Sequence, residues 1–416
     1  MDLSKFRKNK IYHLKNLFWI FGFIFFLTGF YGWYDRFAYG HINANYSSVV
    51  PWGLWIAAYI YFVGLSAGSF LVSSLIYVFN VKAFEKIGRL ALFTAIITLI
   101  LALLSVWADL GHEFRAWHVM VYPNFKSPMA WMIYLYSFYF LLILLEFWLI
   151  NRKYYVIGSQ LPGYKGKVYK ILALWSKNTS DESEKRDYKL VRILASIGVP
   201  VAIMFHGGVG ALFGVVAARP HWHSGLFPIL FLLSALVSGG ALLALISIIF
   251  QDGYHKNKDT VLLLGKMVLG LLILDVIFQI SEFLIAFRGG IPGHVAGLKL
   301  VISGKYWPVF WIWQVALGTI VPIVLLSTKL SKFPVYVGIA CALIIVGIFG
   351  LRLNIVIPGL AVEEIKGLAT AVTSIRSDAL YFPSISEWTL TIGLGGFGML
   401  LFGIGEILLP KVSEQQ

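Results

Sequence analysis

The sequence predicts an all-α membrane protein with about ten transmembrane helices and both termini in the cytoplasm. The first observation behind this is composition. The 416 residues are 59% hydrophobic and only 13% charged, with a mean hydropathy of +0.79. The second is spacing. Apolar runs recur at 16–34, 52–80, 89–109, 130–150, 191–217, 225–250, 261–287, 306–327, 333–353 and 386–409, each near the roughly 20 residues that cross a 30 Å hydrocarbon core. The third is alternation of charge. With the N-terminus inside, the inner segments hold 23 Lys and Arg, counting Arg89 and Arg192 at the run ends, and the outer loops hold 9, the bias that fixes orientation in a bilayer. The net charge of +14 then anchors the protein against anionic lipid, and no nucleic-acid role is needed to explain it.

Taken in order, Met1–Lys15 is basic and leads into a full-length apolar run without an A-x-A site, so it reads as an inner tail, not a cleaved signal. The second run begins at Pro51 and is rich in small residues. The third closes on Asp109. After the fourth, residues 151–192 carry mixed charge and read as a solvated linker, with a short amphipathic piece near Tyr169–Trp175 lying on the membrane. The fifth run contains His206 within Phe205-His206-Gly207-Gly208. The seventh carries Asp275, Gln279 and Glu282 at i, i+4 and i+7, hence on one helical face. Gln314 lies in the eighth run and Glu406 near the inner end of the tenth, where it reads as a snorkelling side chain.

Polar groups within hydrocarbon are costly, about 2.5–3.5 kcal/mol each on insertion scales, and mark function or internal pairing. His206 is either a titrating group or a hydrogen-bonded packing residue. Asp109 is a titrating group, a cap, or a partner of Arg115. The Asp275, Gln279 and Glu282 face is a proton path or a structural network. The single cysteine, Cys341, excludes a disulfide framework or a thiolate cluster. Only His206 among the nine histidines lies deep in a run, so a bis-histidine haem is not expected. His221-x-His223 and His112…His118 lack acidic or cysteine complements for a metal. No P-loop or dinucleotide glycine motif occurs.

Two outer loops combine Arg, His, Trp and Pro. One runs from Asp109 through Arg115, Trp117, His118 and Pro123 to Trp131, followed by Tyr134; the other runs from Ala218 through Arg219, Trp222 and His223 to Pro228. Interfacial Trp is the ordinary aromatic belt. Aromatic walls with an imidazole and a carboxylate also suit a quinone head, whose oxygens exchange protons on redox.

Several blocks in order give a resemblance. Span two (Pro51-Trp-Gly-Leu-Trp…Ser66-Ala-Gly68), then Asp109-Leu-Gly with Arg115, Trp117-His118, Pro123-Asn124, Ser127-Pro-Met and Trp131, resemble the polysulfide reductase/NrfD family of quinone-interacting membrane subunits. His206, Arg219-Pro-x-Trp222-His223 and Phe231-Leu-Leu-Ser-Ala-Leu-Val-Ser-Gly239 continue it. Arg352-Leu-Asn354…Pro358-Gly359 and Tyr381-Phe-Pro383-Ser384-Ile-Ser-Glu387 are similar to its ten-span branch, which includes hydrogenase-2-type, alternative complex III and sulfur-cycle membrane subunits. His112-Glu113 departs from the usual Arg-Pro pair.

The resemblance implies two pseudo-symmetric four-helix bundles with two flanking helices. The corresponding segments are 1–51 (tail and first helix), 52–217 (first bundle, quinone site near the outer face), 218–353 (second bundle) and 354–416 (outer loop, last helix, tail). It implies a menaquinone or ubiquinone held non-covalently by His118, Asp109, Arg115, Trp117, Trp131, Tyr134, His206, Trp222 and His223. It also implies no haem or iron–sulfur cluster in this chain, a ferredoxin-like iron–sulfur partner on the outer face, and a further molybdopterin, hydrogenase or cytochrome subunit. The location expected is a bacterial or archaeal cytoplasmic membrane. Two other classes share the bulk features: a secondary transporter, faintly suggested by Gly198-Val-Pro200 and Pro322, and a passive anchor for a peripheral enzyme.

Overall fold

The computed structural model describes residues 3–363, 365, 367, 371 and 380–408, with backbone alone for 3–12. Among the described residues there is no strand, and ten helices are long and apolar enough to cross a membrane. They are α1 (Leu3–Tyr39), α2 (Leu54–Tyr77), α3 (Gly88–Asp109), α4 (Pro128–Gly158), α5 (Asp181–Gly214), α6 (Phe227–Phe250), α7 (Lys258–Gly289), α8 (Val309–Ser327), α9 (Pro334–Ala361) and α10 (Ile385–Leu408). The chain is a multi-pass integral membrane protein, as its hydropathy requires.

Helices α2 to α5 pack as one group of four and α6 to α9 as another. Helices α1 and α10 pair with each other, and α10 lies against α2 and α3. The two groups meet where α2 crosses α6. There a methyl on Gly68 would lie 1.9 Å from the Ala235 carbonyl oxygen, and one on Gly239 would lie 2.5 Å from the Gly68 backbone. Backbones this close need glycine, and tight crossing is what holds helices together in lipid. Outward faces carry exposed Phe23, Leu27, Leu141, Ile277 and Leu284, which hydrocarbon solvates. Pro128 and Pro334 stand in the first turns of α4 and α9, where a missing N–H costs nothing.

Several helices outrun their apolar cores. The stretch 151–192 is not a solvated linker. Helix α4 continues to Gly158, a short helix spans Tyr164–Leu172, and α5 starts at Asp181 with Ser180 as its N-cap, the Ser183 N–H donating to the Ser180 hydroxyl at 3.3 Å. Arg152 organises the segment. Its guanidinium is buried and donates to Asp187 at 2.5 Å, Ser176 at 2.7 Å, the Asn178 carbonyl at 2.7 Å and Ser183 at 2.5 Å. Hydropathy marks only the apolar part of a helix, and buried pairing carries the rest. The amphipathic piece leaves Ile171 and Trp175 exposed.

Helix α8 begins with π-helical turns over Val309–Ile320, closed by a Val321 N–H to Ala316 carbonyl bond and by the Thr319 hydroxyl donating to the Gln314 carbonyl at 2.9 Å. Wide turns of this kind are rare and occur frequently at functional sites. Gln314 lies buried within these turns.

Candidate functional site

At the end of the molecule that carries Asp109, four segments converge: the α1–α2 connection, the start of α2, the end of α3 and the start of α10. The Tyr46 hydroxyl donates to Asp109 Oδ1 at 2.7 Å. The Tyr381 hydroxyl donates to Glu387 Oε1 and accepts from the Leu54 N–H at 2.8 Å. Glu387 is fully buried, and its other oxygen accepts from the backbone N–H groups of Ser384 at 2.9 Å and Asn45 at 3.1 Å. A methyl on Gly53 would lie 2.1 Å from the Tyr381 hydroxyl, so glycine there lets the ring approach the α2 N-terminus. The Tyr46 ring packs 5.8 Å from both Trp55 and Tyr381, and 5.5 Å from His41.

Burial and the neighbouring carboxylates hold both phenols well above the usual tyrosine range. Burial and the Arg36 charge push the His41 imidazole down. So at neutral pH Tyr46 and Tyr381 are donors and His41 is uncharged. Two ring nitrogens in the cluster, His41 Nε2 and Trp55 Nε1, are buried without a hydrogen-bond partner. Such atoms cost about 1–3 kcal/mol unless something else meets them.

Beneath the cluster, Arg36 is buried and donates to the Ala108 carbonyl at 2.6 Å, to the Leu110 carbonyl, and to Glu113 at 3.3 Å. That gives Glu113, the departure from the family's Arg-Pro pair, a structural role: it ties the outer loop to α1. Asp35 accepts from Asn43 at 2.6 Å and Ser386 at 2.5 Å, joining α1 to α10.

The residues singled out from sequence fall into separate places. Asp109 turns to Tyr46, whereas Arg115 is exposed. His118 starts the short helix His118–Val121, edge-on to Trp117 at 4.2 Å and Tyr122 at 5.8 Å. Trp117 and Trp131 are exposed, Trp131 donating to the Phe125 carbonyl at 2.9 Å, and Tyr134 donates to the Met120 carbonyl at 2.9 Å. Trp222 is buried, stacks on Trp52 at 5.9 Å and donates to the Ile355 carbonyl at 2.7 Å. His223 is exposed and its Nδ1 meets the Gly214 carbonyl at 2.9 Å.

His206 is fully buried at mid-bundle. Its Nε2 donates to the Phe231 carbonyl at 2.7 Å, and its Nδ1 has no partner. Arg352 lies beside it: a methyl on Gly64 would be 3.5 Å from both His206 and Arg352. Arg352 donates to the Ser234 hydroxyl at 2.6 Å and lies over the Phe231 ring at 4.5 Å, while its Nε and Nη1 stay unpartnered.

In the second group of helices the one-face stripe of α7 extends into a chain of amides. Gln279 donates to Asp275 at 2.6 Å, Gln314 donates to Gln279 at 2.8 Å, and Asn354 donates to Gln314 at 2.8 Å. Glu282 stands apart, accepting from Ser224 at 2.7 Å, with His294 at 3.9 Å. A cavity of about 60 Å³ between them is lined by Gln279, Glu282, His294, Gln314, Arg352 and Asn354, among others.

Sequence reasoning missed Glu146, a fully buried acid in α4 with both oxygens unpartnered. Its signal was plain: one acid in the run Leu141–Ile150. It also passed over Asp35, Arg36 and the pairing of Tyr46 with Asp109.

Residues 42–363 match the family model described as polysulphide reductase, NrfD. A selenate reductase subunit of Mesobacillus selenatarsenatis is 39% identical over 94% of this chain and 93% of that protein. The Hdr-like menaquinol oxidoreductase integral membrane subunit of Archaeoglobus fulgidus is 29% identical over 89% and 87%. The menaquinone reductase integral membrane subunit of Nitratidesulfovibrio vulgaris is 23% identical over 96% and 93%. On the breadth of the family match and the length of the shared alignment, this chain belongs to the polysulphide reductase NrfD family of membrane subunits.

Proposed function

We propose that this chain is the quinone-reactive membrane subunit of a respiratory oxidoreductase complex in a bacterial or archaeal cytoplasmic membrane. The Asp109 end faces outward in this reading, as the basic inner segments favour. Electrons pass to or from an iron–sulfur partner docked there, which connects to a catalytic subunit of molybdopterin, hydrogenase or cytochrome type. The observation that carries the reading is the acid–phenol cluster with its two orphaned ring nitrogens, in a chain whose relatives are named for menaquinol and menaquinone chemistry.

The residues present suit a quinone head, menaquinone or ubiquinone. His41 Nε2 and Trp55 Nε1 offer buried contacts to an oxygen, Trp55 as a donor, and Asp109 offers an acceptor to a hydroxyl. Bound there, a quinol supplies two electrons and two protons. Asp109 and a histidine, His118 or His206, receive protons in this proposal. Tyr46 orients Asp109, while Arg115, Trp117, Trp131, Tyr134, Trp222 and His223 shape the approach. Asp275, Gln279 and Glu282 form part of a proton path through the second group of helices.

The test is saturable quenching of a fluorescent menaquinol analogue by the purified complex, repeated with Asp109→Asn and His118→Ala. Weakened binding and slowed quinol-linked turnover are expected. Wild-type binding and turnover in both variants would overturn the assignment.

A further inference from the structure

A second cavity, of about 360 Å³, lies where the α5–α6 turn meets the end of α7 and the start of the Pro292–Ile302 helix. Nothing in the proposal above uses it as a binding site. Its apolar lining includes Leu226, Ile285 and Ile291, and its polar lining includes Ser224, Glu282 and His294. Ile285 and Ile291 are exposed, as are Ile277, Ile280 and Leu284 farther along α7. This face therefore abuts hydrocarbon, and the cavity is reached sideways from the membrane as well as from its surface.

The polar groups inside are unsatisfied in a specific way. Glu282 is 7% exposed and His294 6% exposed. Glu282 Oε2 is bonded to Ser224, but Oε1 has no hydrogen-bond partner, and His294 Nε2 stands 3.9 Å from it, beyond hydrogen-bond reach. Behind His294, His221 packs edge-on at 5.8 Å with a buried, unpartnered Nδ1. Burial holds His294 below the usual imidazole range, so at pH 7 it is neutral and can donate or accept. One oxygen about 2.8 Å from both Glu282 Oε1 and His294 Nε2 closes the gap. If it is a hydroxyl, it donates to the carboxylate; if a carbonyl, it accepts from the imidazole. A phosphate would instead set its own negative charge against Glu282.

We infer that this cavity is a second site for a quinol or quinone head, held by Glu282, His294 and Ser224, with an isoprenoid tail lying along the exposed face of α7. Its size falls in the roughly 300–1,000 Å³ range of ligand pockets, and an apolar wall with a few convergent polar groups is the usual build. The 60 Å³ cavity adjoins it, since Glu282 and His294 line both. The inference rests on the quinone reading, so its test must separate the two.

The probe is a photoreactive azido-naphthoquinol with a short isoprenoid tail, applied to the purified complex, with labelled peptides mapped by mass spectrometry. Two labelled regions are expected, one around the Asp109 cluster and one around 224–226 and 282–294. Glu282→Gln should cut labelling of the second about tenfold. Gly225→Leu and Gly289→Leu should block it, since both glycines line the cavity and a methyl on either meets no atom within 4 Å; the added side chain fills space without forcing the fold. Labelling at the Asp109 end should not change. Labelling confined to the Asp109 end, or insensitive to all three substitutions, would overturn the second site and leave the quinone reading intact. Competition by phospholipid but not by unlabelled quinol would make it a lipid site instead. No quinol-displaceable labelling anywhere would end the quinone reading and this inference with it.

Discussion

Replacing Gly68 by alanine tests the crossing that joins the two groups of helices. The added methyl would lie 1.9 Å from the Ala235 carbonyl oxygen and 3.0 Å from the Gly239 Cα. Carbon and oxygen do not approach closer than about 3.3 Å without cost, so α2 and α6 must part by about 1.4 Å. A radial gap of 0.5–1 Å already forfeits a quarter to a half of each dispersion well, and in lipid no hydrophobic force compensates. Overpacking costs of about 1–3 kcal/mol are typical, and because the clash is with backbone we expect about 3 kcal/mol or more. For 416 residues the unfolding entropy scales to about 0.9 kcal/mol/K, so Tm in detergent should fall by about 3 °C or more. Two glycines calibrate the measurement. At Gly240 the nearest atoms belong to the side chains of Val268, at 3.0 Å, and Met267, at 3.4 Å, so alanine should cost within about 1 kcal/mol. At Gly270 nothing lies within 4 Å, so alanine should be neutral or stabilise by up to about 1 kcal/mol through helix propensity. If Gly68→Ala melts with wild type while Gly240→Ala does not, the crossing is not where the structure puts it.

Two further predictions concern titration and protons. Burial and the neighbouring His294 hold His221 at about 4, below its unfolded value near 6.5. Between those values the unfolded chain binds a proton that the folded one refuses. Stability should therefore fall as pH drops from 6.5 to 4, by about 3 kcal/mol for this group, and melting of His221→Gln across that window should show a shallower slope; an unchanged slope would refute it. If the α7 stripe carries protons, Asp275→Asn keeps an acceptor for the Gln279 amide, now at 2.6 Å, and should leave the fold intact. It should nevertheless lower proton release per electron in proteoliposomes, and equal stoichiometry would reduce the stripe to packing.

The ten helices were legible because hydrocarbon thickness imposes one length and one composition on each. Their ends were not. Hydropathy closed the first span at residue 34, so Asp35 and Arg36 were assigned to a loop, yet α1 runs to Tyr39 and buries both. The same reasoning opened residues 151–192, which Arg152 closes with four side-chain hydrogen bonds to partners reachable only after folding. Spacing placed Asp275, Gln279 and Glu282 on one face, but it could not say that Gln279 turns to α8 and Glu282 to the α5–α6 turn. Nor could it pair Tyr381 with the start of α2, across 327 residues of chain. Local periodicity reports what a helix shows to its surroundings; which side chains meet there is decided by packing between distant segments.

That distinction separates two kinds of buried polar atom in this molecule. The oxygens of Glu387 and the guanidinium of Arg36 have named protein partners, and each joins α1 or α10 to a neighbouring segment. Networks of that kind rigidify and specify one arrangement. His41 Nε2, Trp55 Nε1, His206 Nδ1, Arg352 Nε and Nη1, Asp275 Oδ1 and Glu282 Oε1 have none. In hydrocarbon such atoms are retained only where water, a proton or a ligand completes them. The bonded set accounts for why the ten helices hold one arrangement. Unbonded atoms of this kind lie in the Asp109 cluster, at His206 and Arg352, at Glu146 in α4 and at Glu282 by the second cavity, and it is there that chemistry beyond structure has to enter.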